Sequence, residues 1–246
     1  MTIKTEEEIQ IMYKGGQILA GIRKELVAMA RPGTTTNDLE KHFRKRLKEE
    51  GVSPAFLNYR GYPAGLCTSI NDQVVHCPPS NRALKMGDIL SIDMGLIYEG
   101  WYLDTAVTIG VGKISPEAQK LIDVTKRSLK DGIAKIKPGR TLGEISHAIQ
   151  QYAETHGYGV VRDLVGHGIG KQLHEDPAVP NYGKKGDGPI LKEGMVLAIE
   201  PMLTEGDWNV IEDDDGFTFR TADGKLSAHF EHSVAITKDG PLVLTK

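Results

Sequence analysis

An internal repeat is the feature that most constrains how this chain folds. Residues 31–39 (RPGTTTNDL) return as residues 137–145 (KPGRTLGEI), and residues 87–94 (GDILSIDM) return as residues 194–201 (GMVLAIEP). The two matches keep their order and have nearly the same offset, which is far too long for a solenoid. The sequence therefore predicts one domain, residues 1–246, built from two similar halves at approximately residues 5–112 and 113–246.

Helical patterns occupy corresponding places in the two halves. Thr5 and Glu8 form a capping box, and apolar residues follow it at helical spacing until the helix ends before Arg31. A second helix is predicted from about Thr36 to Glu50. In the second half, helices are predicted at about 115–136 and 142–156.

Strands are expected between Ile89 and Val111 and on both sides of a hairpin turn at Asp215-Gly216. The pattern in each half is helix, Pro-Gly turn, helix and then strands that carry an acid. We therefore expect an α+β fold in which the two halves pack about a pseudo-two-fold axis. The matched acids, Asp93 and Glu200, would then face each other.

Composition excludes several classes of protein. The chain is 39% hydrophobic and 26% charged, as expected for one large globular domain. A net charge of -3 gives no electrostatic reason to bind nucleic acid or an anionic membrane, and the apolar runs are too short to span a bilayer. The acidic N-terminal residues lack the apolar core of a signal peptide, and the two cysteines fit no disulfide framework. A cytoplasmic protein is predicted.

Residues 166–177 (GHGIGKQLHEDP), which we call the histidine loop, contain His167 and His174. Imidazole is the commonest neutral metal ligand and a proton shuttle near pH 7, and glycine lets a backbone approach an ion or substrate closely. A dinucleotide-binding glycine loop fits poorly, because Pro177 would disturb the helix that such a loop opens. A loop with two incidental histidines is the alternative.

In the first half, Asp93 lies in an apolar strand between Ile92 and Met94. A turn at Tyr98-Glu99 would set Asp93 directly opposite Asp104. Opposed residues on a ladder have Cβ atoms about 4.5–5.5 Å apart, and like charges there are destabilising. This hairpin would bring together two carboxylates that need a counter-charge.

The second half repeats this arrangement, since a hairpin closed on Asp215-Gly216 would set Glu200 opposite Glu231. Four carboxylates in apolar strands, joined by the imidazole of His167, exceed the usual demand of one ion and predict two divalent cations. Oxygen ligands with one nitrogen suit manganese, iron, cobalt or zinc better than calcium, and the lack of thiolates argues against structural zinc. Carboxylates that are merely solvated are the alternative.

This set of five residues resembles the dinuclear metal site of the methionine aminopeptidases, in the pita-bread family. The resemblance spans nearly the whole chain and is greatest to the bacterial-type, type I form. The motifs that carry it are residues 58–63 (NYRGYP), 69–72 (SIND), 75–76 (VH), 166–170 (GHGIG), 174–177 (HEDP), 199–202 (IEPM) and 230–232 (FEH).

The resemblance implies the pita-bread fold, with an antiparallel sheet inside and helices outside. It implies an exopeptidase that removes the initiator methionine from nascent proteins and peptides whose second residue is small, through a hydroxide bridging two metal ions. The implied metal ligands are Asp93, Asp104, His167, Glu200 and Glu231. Among the implied catalytic residues, Glu200 takes a proton from water, His174 binds the scissile carbonyl oxygen and His76 contacts the scissile nitrogen.

The resemblance also implies a pocket for the methionine side chain. Its residues are Tyr59, Tyr62, Cys67, Leu173 and Phe217, which with His76 and His174 are the implied substrate-binding residues. Aromatic rings and sulfur contact a thioether well. Ordinary core packing is the alternative for each pocket residue.

Several positions depart from the family pattern. Leu173 and Phe217 stand where the family usually has Phe and Trp, which implies a roomier or less selective pocket. Cys77 and Leu103 replace usual glycines. His229 occupies a common glutamine position two residues before Glu231, where it would add a titrating group beside the ligands.

X-Pro aminopeptidases and prolidases share the histidine motif and are the rival interpretation, and a non-catalytic peptide-binding relative is another. The expected partner is the N-terminal methionine of nascent polypeptides, close to the ribosome. A monomer is expected because the repeat already supplies a two-fold packing. The resemblance further implies a monovalent-cation site near Ser69, Asn71 and Ser227.

Overall fold

The computed structural model describes residues 2–246, and four α-helices lie in that part of the chain. They are α1 (Glu6–Met29), α2 (Thr36–Glu49), α3 (Pro116–Ile133) and α4 (Gly143–Thr155). All four predicted helices are confirmed, and their ends differ from the predicted ends by at most three residues.

The strands are mostly short and fall where the sequence alternates apolar pieces with turns. They are β1 (Ser53–Pro54), β2 (Leu66–Ile70), β3 (Gln73–Val75), β4 (Ile89–Tyr98), β5 (Trp101–Gly110), β6 (Gly159–Val160), β7 (Gly166–Gly168), β8 (Glu175–Val179), β9 (Val196–Ile199), β10 (Met202–Thr204), β11 (Val210–Glu212), β12 (Phe219–Thr221), β13 (Ser227–His229), β14 (Glu231–Thr237) and β15 (Gly240–Val243).

Helix α1 shows how the local signals act. Thr5 Oγ1 accepts a hydrogen bond from the Glu8 amide at 3.2 Å, and the Glu8 carboxylate accepts one from the Thr5 amide at 2.9 Å, so the predicted capping box is present. Met12, Leu19 and Leu26 are fully buried on one face of the helix. That face packs against β4 and β5.

A nine-stranded sheet connects the two halves of the chain. Its main path runs β1-β4-β5-β14-β9-β7-β8, with β2 beside β4 and β15 beside β14, and every ladder is antiparallel. At the junction of β5 and β14, Ser233 Oγ accepts from the Asp104 amide at 3.0 Å and donates to the Asp104 carbonyl at 2.9 Å. The junction therefore holds Asp104 in place beside β14.

Two apolar cores lie against the sheet. One contains the buried faces of α1 and α2, including Leu19 and Phe43, and the other those of α3 and α4, including Leu121 and Ile149. None of the helices within residues 2–246 is long and apolar enough to cross a membrane.

Backbone contacts recur at repeat-related positions. Gly33 donates to the Leu84 carbonyl at 2.8 Å, and Gly139 donates to the Leu191 carbonyl at 2.9 Å. Gly33 and Gly139 both have positive φ, 91° and 87°, as the Pro-Gly turns require. These equivalent contacts support the two-half interpretation, and its boundary near residue 112 stays a prediction.

The predicted register of the first hairpin is wrong. The turn between β4 and β5 lies at Glu99-Gly100, so Asp93 pairs with Ala106 and Asp104 pairs with Gly95. A two-residue turn of this kind needs positive φ at both positions, and glycine adopts it without steric cost; φ is 49° at Glu99 and 76° at Gly100. The two aspartates are consequently diagonal neighbours on one face of the sheet.

The predicted register of the second hairpin is confirmed, although the hairpin is not continuous. The pairs His232–Ile199, His229–Met202 and Phe219–Glu212 are all symmetric about Asp215-Gly216. After Ile199 the main-sheet ladder is interrupted, and residues 201–230, which we call the flap, continue the same register in the separate β10–β13 and β11–β12 ladders. Strand β12 of the flap pairs with β3, next to His76. Glu200 lies just past the end of β9.

Candidate metal centre and substrate cleft

Three buried side chains meet where the two halves join. Asp104, His167 and Glu231 each offer one ligand atom, and these atoms all lie within 4.8 Å of one another. They come from β5, β7 and β14, and the β5–β14 contact fixes two of these strands relative to each other. The sheet junction thus builds a cluster that could hold a metal ion.

Asp93 and Glu200 lie beside this cluster but do not belong to the set whose ligand atoms are all within 4.8 Å of one another. Asp93 is the diagonal neighbour of Asp104, and Glu200 Oε1 is 3.6 Å from His167 Nε2. All five predicted ligands line the same cavity, of about 430 Å³. The structure therefore brings the five together, with three of them at ligand distance from one another.

The donor set fits a divalent cation. Asp93 Oδ1, Asp104 Oδ1 and Glu231 Oε1 are buried without any hydrogen-bond partner within residues 2–246. A buried carboxylate without a partner is costly. His167 Nδ1 lies 2.9 Å from the Gly168 carbonyl, and a hydrogen bond donated from Nδ1 leaves the Nε2 lone pair free for a ligand.

Without a cation these carboxyls resist ionisation. Burial raises the pKa of Asp93 to about 7, with His229 opposing the shift and Glu200 adding to it. Burial also raises the pKa of Glu200 to about 7, against the effect of His167. For Asp104 and Glu231, burial and the neighbouring carboxylates raise the pKa well above its ordinary value. A bound cation would remove this electrostatic penalty.

Two further histidines border the cavity. His174 packs edge-on against His167, with ring centroids 4.2 Å apart, and its Nδ1 lies 2.6 Å from the Tyr59 hydroxyl. His76 has a left-handed backbone, φ 61°, and its ring meets the edge of Phe219 at 5.9 Å. Such a backbone is unusual for a non-glycine residue and is often found at functional positions.

Both rings are open to water in the cleft but have protein on most other sides. This enclosure lowers the pKa of His174 to about 3, with His167 and Arg60 adding to the shift. It lowers the pKa of His76 to about 4, with His229 adding to it. Both imidazoles are therefore neutral at pH 7.

The predicted pocket residues line the same cavity. They are Tyr59, Tyr62, Cys67, Leu173 and Phe217. Tyr62 meets Phe217 edge-to-face at 5.5 Å, and the Tyr62 hydroxyl donates to the Leu66 carbonyl at 3.1 Å. With that hydroxyl satisfied, its ring presents apolar surface to the cavity.

The comparisons with known proteins agree with this geometry. The sequence profile of metallopeptidase family M24 matches residues 10–238. The chain belongs to metallopeptidase family M24. It is 50% identical to a methionine aminopeptidase of Clostridium perfringens, over 99% of this chain and 98% of the relative. Membership of a metallopeptidase family means that the chain binds divalent metal.

Solved structures identify its subgroup within the family. A methionine aminopeptidase from Thermotoga maritima superimposes with a TM-score of 0.98 at 46% identity and covers 100% of this chain and 99% of that one. A prolidase from Pyrococcus horikoshii reaches 0.80 at 25% identity, and the match covers 99% of this chain but 63% of the prolidase. The chain thus has the pita-bread fold and groups with the bacterial methionine aminopeptidases of family M24.

Six residues that line the cleft were not predicted as site residues. They are Phe56, Arg60, Leu164, Glu212, Gly216 and Phe219. Phe219 carries a signal that could have found it, because it alternates with Phe217 and therefore shares its side of the chain. Trp208, near in sequence, is not among the cavity's lining residues and instead stacks on Arg162, with the guanidinium 4.6 Å from the ring centroid.

The M24 centre of this chain also has a buried histidine close to it. His229 Nε2 is 3.6 Å from Glu200 Oε2, and neither ring nitrogen has a hydrogen-bond partner within residues 2–246. Burial lowers the pKa of His229, although Asp93 opposes the shift. The predicted extra imidazole therefore lies beside Glu200, on the edge of the cluster.

The residues expected near a monovalent cation are partly engaged with one another. The Ser227 amide donates to the Asn71 carbonyl at 2.9 Å, and Asn71 Nδ2 donates to Asp88 Oδ1 at 3.0 Å. Ser69 lies on β2, opposite Ser91. The cation site remains a prediction.

Proposed function

We propose that this chain is a metal-dependent aminopeptidase that removes the N-terminal methionine from polypeptides whose second residue is small. The observation that carries the proposal is the buried cluster of Asp104, His167 and Glu231 at the floor of an apolar cleft. The full-length relation to methionine aminopeptidases supports the same substrate.

Asp104, His167 and Glu231 would hold one cation, and Asp93 and Glu200 would complete a site for a second. Manganese, iron, cobalt and zinc all suit four carboxylates and one imidazole. When bound, the ions polarise the scissile carbonyl and acidify a water molecule. The chain's own groups then orient the peptide and move protons.

Glu200 is suited to accept a proton from the attacking water. Burial raises its pKa to about 7 in the metal-free site, so this carboxyl accepts a proton near neutral pH. His229, 3.6 Å from the second Glu200 oxygen, lies on the other side of this carboxylate.

His174 is suited to bind the carbonyl oxygen. If the Tyr59 hydroxyl donates to Nδ1, the neutral imidazole carries its proton on Nε2 and can donate it to the developing oxyanion. His76, held by its left-handed backbone, is suited to contact the scissile nitrogen. Both roles need neutral rings, and the lowered pKa values keep them neutral.

The apolar end of the cleft would take the methionine side chain. Tyr62, Leu173 and Phe217 offer aromatic and aliphatic surface, and Cys67 adds a polarisable sulfur. The free α-amino group of the substrate would face the metal. We further propose a cytoplasmic monomer that acts near the ribosome on nascent chains, with a monovalent cation near Ser69, Asn71 and Ser227.

Substrate preference tests the function. Manganese- or cobalt-loaded protein should release methionine from Met-Ala-Ser and leave Ala-Pro peptides largely intact. Preference for the Pro substrate would instead support an X-Pro peptidase. Peptide binding without any released amino acid would support a non-catalytic relative.

The two histidines of the histidine loop test the assigned roles. We expect His167→Ala to lower the metal content, because it removes a ligand from the three-residue cluster. His174→Ala should keep its metal and lose roughly 10²- to 10³-fold in kcat, as when an oxyanion donor is removed. Measuring the metal content of each variant together with its activity on the tripeptide distinguishes the two roles. Equal metal loss in both variants would contradict the assignment.

A further inference from the structure

A buried ion pair ties the start of the chain to the histidine loop. Lys4 Nζ lies 3.0 Å from Glu175 Oε2, and Lys4 is only 4% exposed although it is the fourth residue of the sequence. The Lys4 amide donates to the Gly194 carbonyl at 2.8 Å, which fixes the backbone of residues 2–5, the N-terminal arm. Buried charges of this kind are rare unless they are paired.

Glu175 distributes its hydrogen bonds between the arm and the loop. Its Oε1 accepts from the Lys171 amide at 2.7 Å and the Gln172 amide at 3.3 Å. Its Oε2 accepts from Lys4 Nζ and from Thr2 Oγ1, the latter at 2.9 Å. One carboxylate therefore closes the turn that leads to His174 and joins that turn to the N-terminal arm.

Gly170, the last glycine of the GHGIG motif, makes room for this contact. A Cβ at Gly170 would lie 2.6 Å from both Lys4 Cε and Glu175 Oε1, which is closer than real Cβ contacts allow. Its carbonyl accepts from the Tyr102 amide at 2.8 Å, next to the turn between β4 and β5. The third glycine of the motif thus serves the Lys4–Glu175 pair.

We propose that Lys4 is a positioning residue for His174, acting through Glu175 and the turn of residues 170–175. The proposal rests on the proposed function, in which His174 binds the scissile carbonyl. If Lys4 is lost, Glu175 keeps a charge with no cation in a nearly dry site, so the carboxylate moves toward water and releases the Lys171 and Gln172 amides. The neighbouring His174 then loses its place against the Tyr59 hydroxyl.

The test compares Lys4→Met, which keeps the apolar stem, with the double variant Lys4→Met/Glu175→Gln. The double variant removes the charge from both sides and retains an oxygen that can accept from the two amides. Exposed Lys24 on α1 provides a matched control, Lys24→Met. For each protein, kcat and KM on the tripeptide and the metal content are measured. Amide hydrogen exchange is followed over residues 170–176.

For Lys4→Met we expect kcat to fall roughly 10- to 100-fold, as when a catalytic group is misplaced by about 1 Å. KM should stay within about twofold, and metal content should be unchanged, because ligands and pocket are intact. Exchange at residues 171 and 172 should be at least about tenfold faster. The double variant should regain most of the kcat, and Lys24→Met should match the parent.

Unchanged kcat and exchange in Lys4→Met would overturn the proposal. So would a double variant as slow as the single one, since that result would assign the loss to packing. If Lys4→Met does not fold, the double variant decides: protected amides support the proposal, and fast exchange contradicts it. The exchange measurement needs no substrate, so it separates failure of this proposal from failure of the proposed aminopeptidase activity.

Discussion

The two halves of the chain bring carboxylates to the centre through different hairpins. The first, β4 and β5, is continuous and closed by the two-residue turn Glu99-Gly100. The second keeps one register about Asp215-Gly216, but it is divided into separate ladders, with an interruption after Ile199. Equivalent segments of the repeat thus give a continuous ladder on one side and an interrupted hairpin on the other.

The difference shows how a repeat can supply both halves of a site without making them alike. The closed hairpin contributes two aspartates in fixed diagonal positions. The second hairpin contributes Glu200 and Glu231 at its interruption, and Phe217 and Phe219 of its flap line the cleft. The candidate metal cluster therefore takes residues from both halves, whereas the phenylalanines of the flap come from the second half alone.

The largest effect should come from removing one ligand in either half. Asp104→Asn and Glu231→Gln each take a charge from the same three-residue cluster, so both should lose metal affinity by more than the roughly 10- to 100-fold typical of an outer partner. Metal titration and the tripeptide assay measure this. If one variant keeps its metal while the other loses it, the two halves do not share the cluster equally.

The pH dependence of stability should report on the four carboxyls together. In metal-free protein the folded state holds protons that the unfolded chain releases, because the pKa values of Asp93 and Glu200 are raised to about 7 and those of Asp104 and Glu231 are raised well above their ordinary values. Stability should therefore fall as pH rises from about 6.5 to 8, by up to ~1.4 kcal/mol per pH unit for each carboxyl that keeps its proton.

Histidines with lowered pKa act in the opposite direction, but only below about pH 6.5, where the unfolded chain gains those protons. Thermal unfolding of the protein in the presence of a chelator, from about pH 6.5 to 8, measures the fall in stability that the carboxyls cause. Metal-loaded protein should show little dependence, because its carboxylates are already ionised. A flat profile for metal-free protein would mean that the carboxyls ionise freely without a cation.

The flap should affect substrate binding more than metal binding. Phe217→Ala removes an aromatic wall and should raise KM for Met-Ala-Ser roughly tenfold with unchanged metal content. Trp208→Ala, in the same flap but away from the cavity, is the control and should leave KM near the parent value. A larger effect at Trp208 would place the methionine pocket elsewhere.

The smallest effect should come from the two turns. Gly100 and Gly216 have φ of 76° and 72°, and a Cβ at either position would meet no atom closer than 3.8 Å. Substituting alanine at either position should therefore lower the free energy of unfolding by about 1 kcal/mol, because alanine disfavours positive φ. Denaturant unfolding measures the stability of both variants. A much larger loss of stability for Gly100→Ala would indicate that the first hairpin is the more cooperative one.

Much of the fold could be predicted from the sequence because the signals were local. Thr5 with Glu8, the helical spacing of apolar residues and the Pro-Gly turns act within a few residues of one another, so the helices came out nearly as predicted. Register in the second half was also predictable, since Asp215-Gly216 is a strong turn signal. In the first half the turn lies one residue beyond the predicted Tyr98-Glu99, at Glu99-Gly100, because Gly100 adopts the positive φ that the turn needs.

The cleft could be predicted only where a motif marked it. The five predicted ligands and all the predicted pocket residues line one cavity, whereas Leu164 and Glu212 do so without any local pattern. Lys4 shows the limit most clearly, because its partner Glu175 is 171 residues away. Nothing in the sequence near Lys4 predicts that this lysine is buried.

The sequence by itself determined the repeat, the helices and the kinds of ligand, because these follow from spacing and side-chain chemistry. Only the tertiary structure decided which three candidate ligands meet within 4.8 Å, which flap residues line the cleft and how the N-terminal arm contacts Glu175 of the histidine loop. Those features depend on where separate strands cross and on which charges burial forces together. Such contacts are set by the packing of the whole chain.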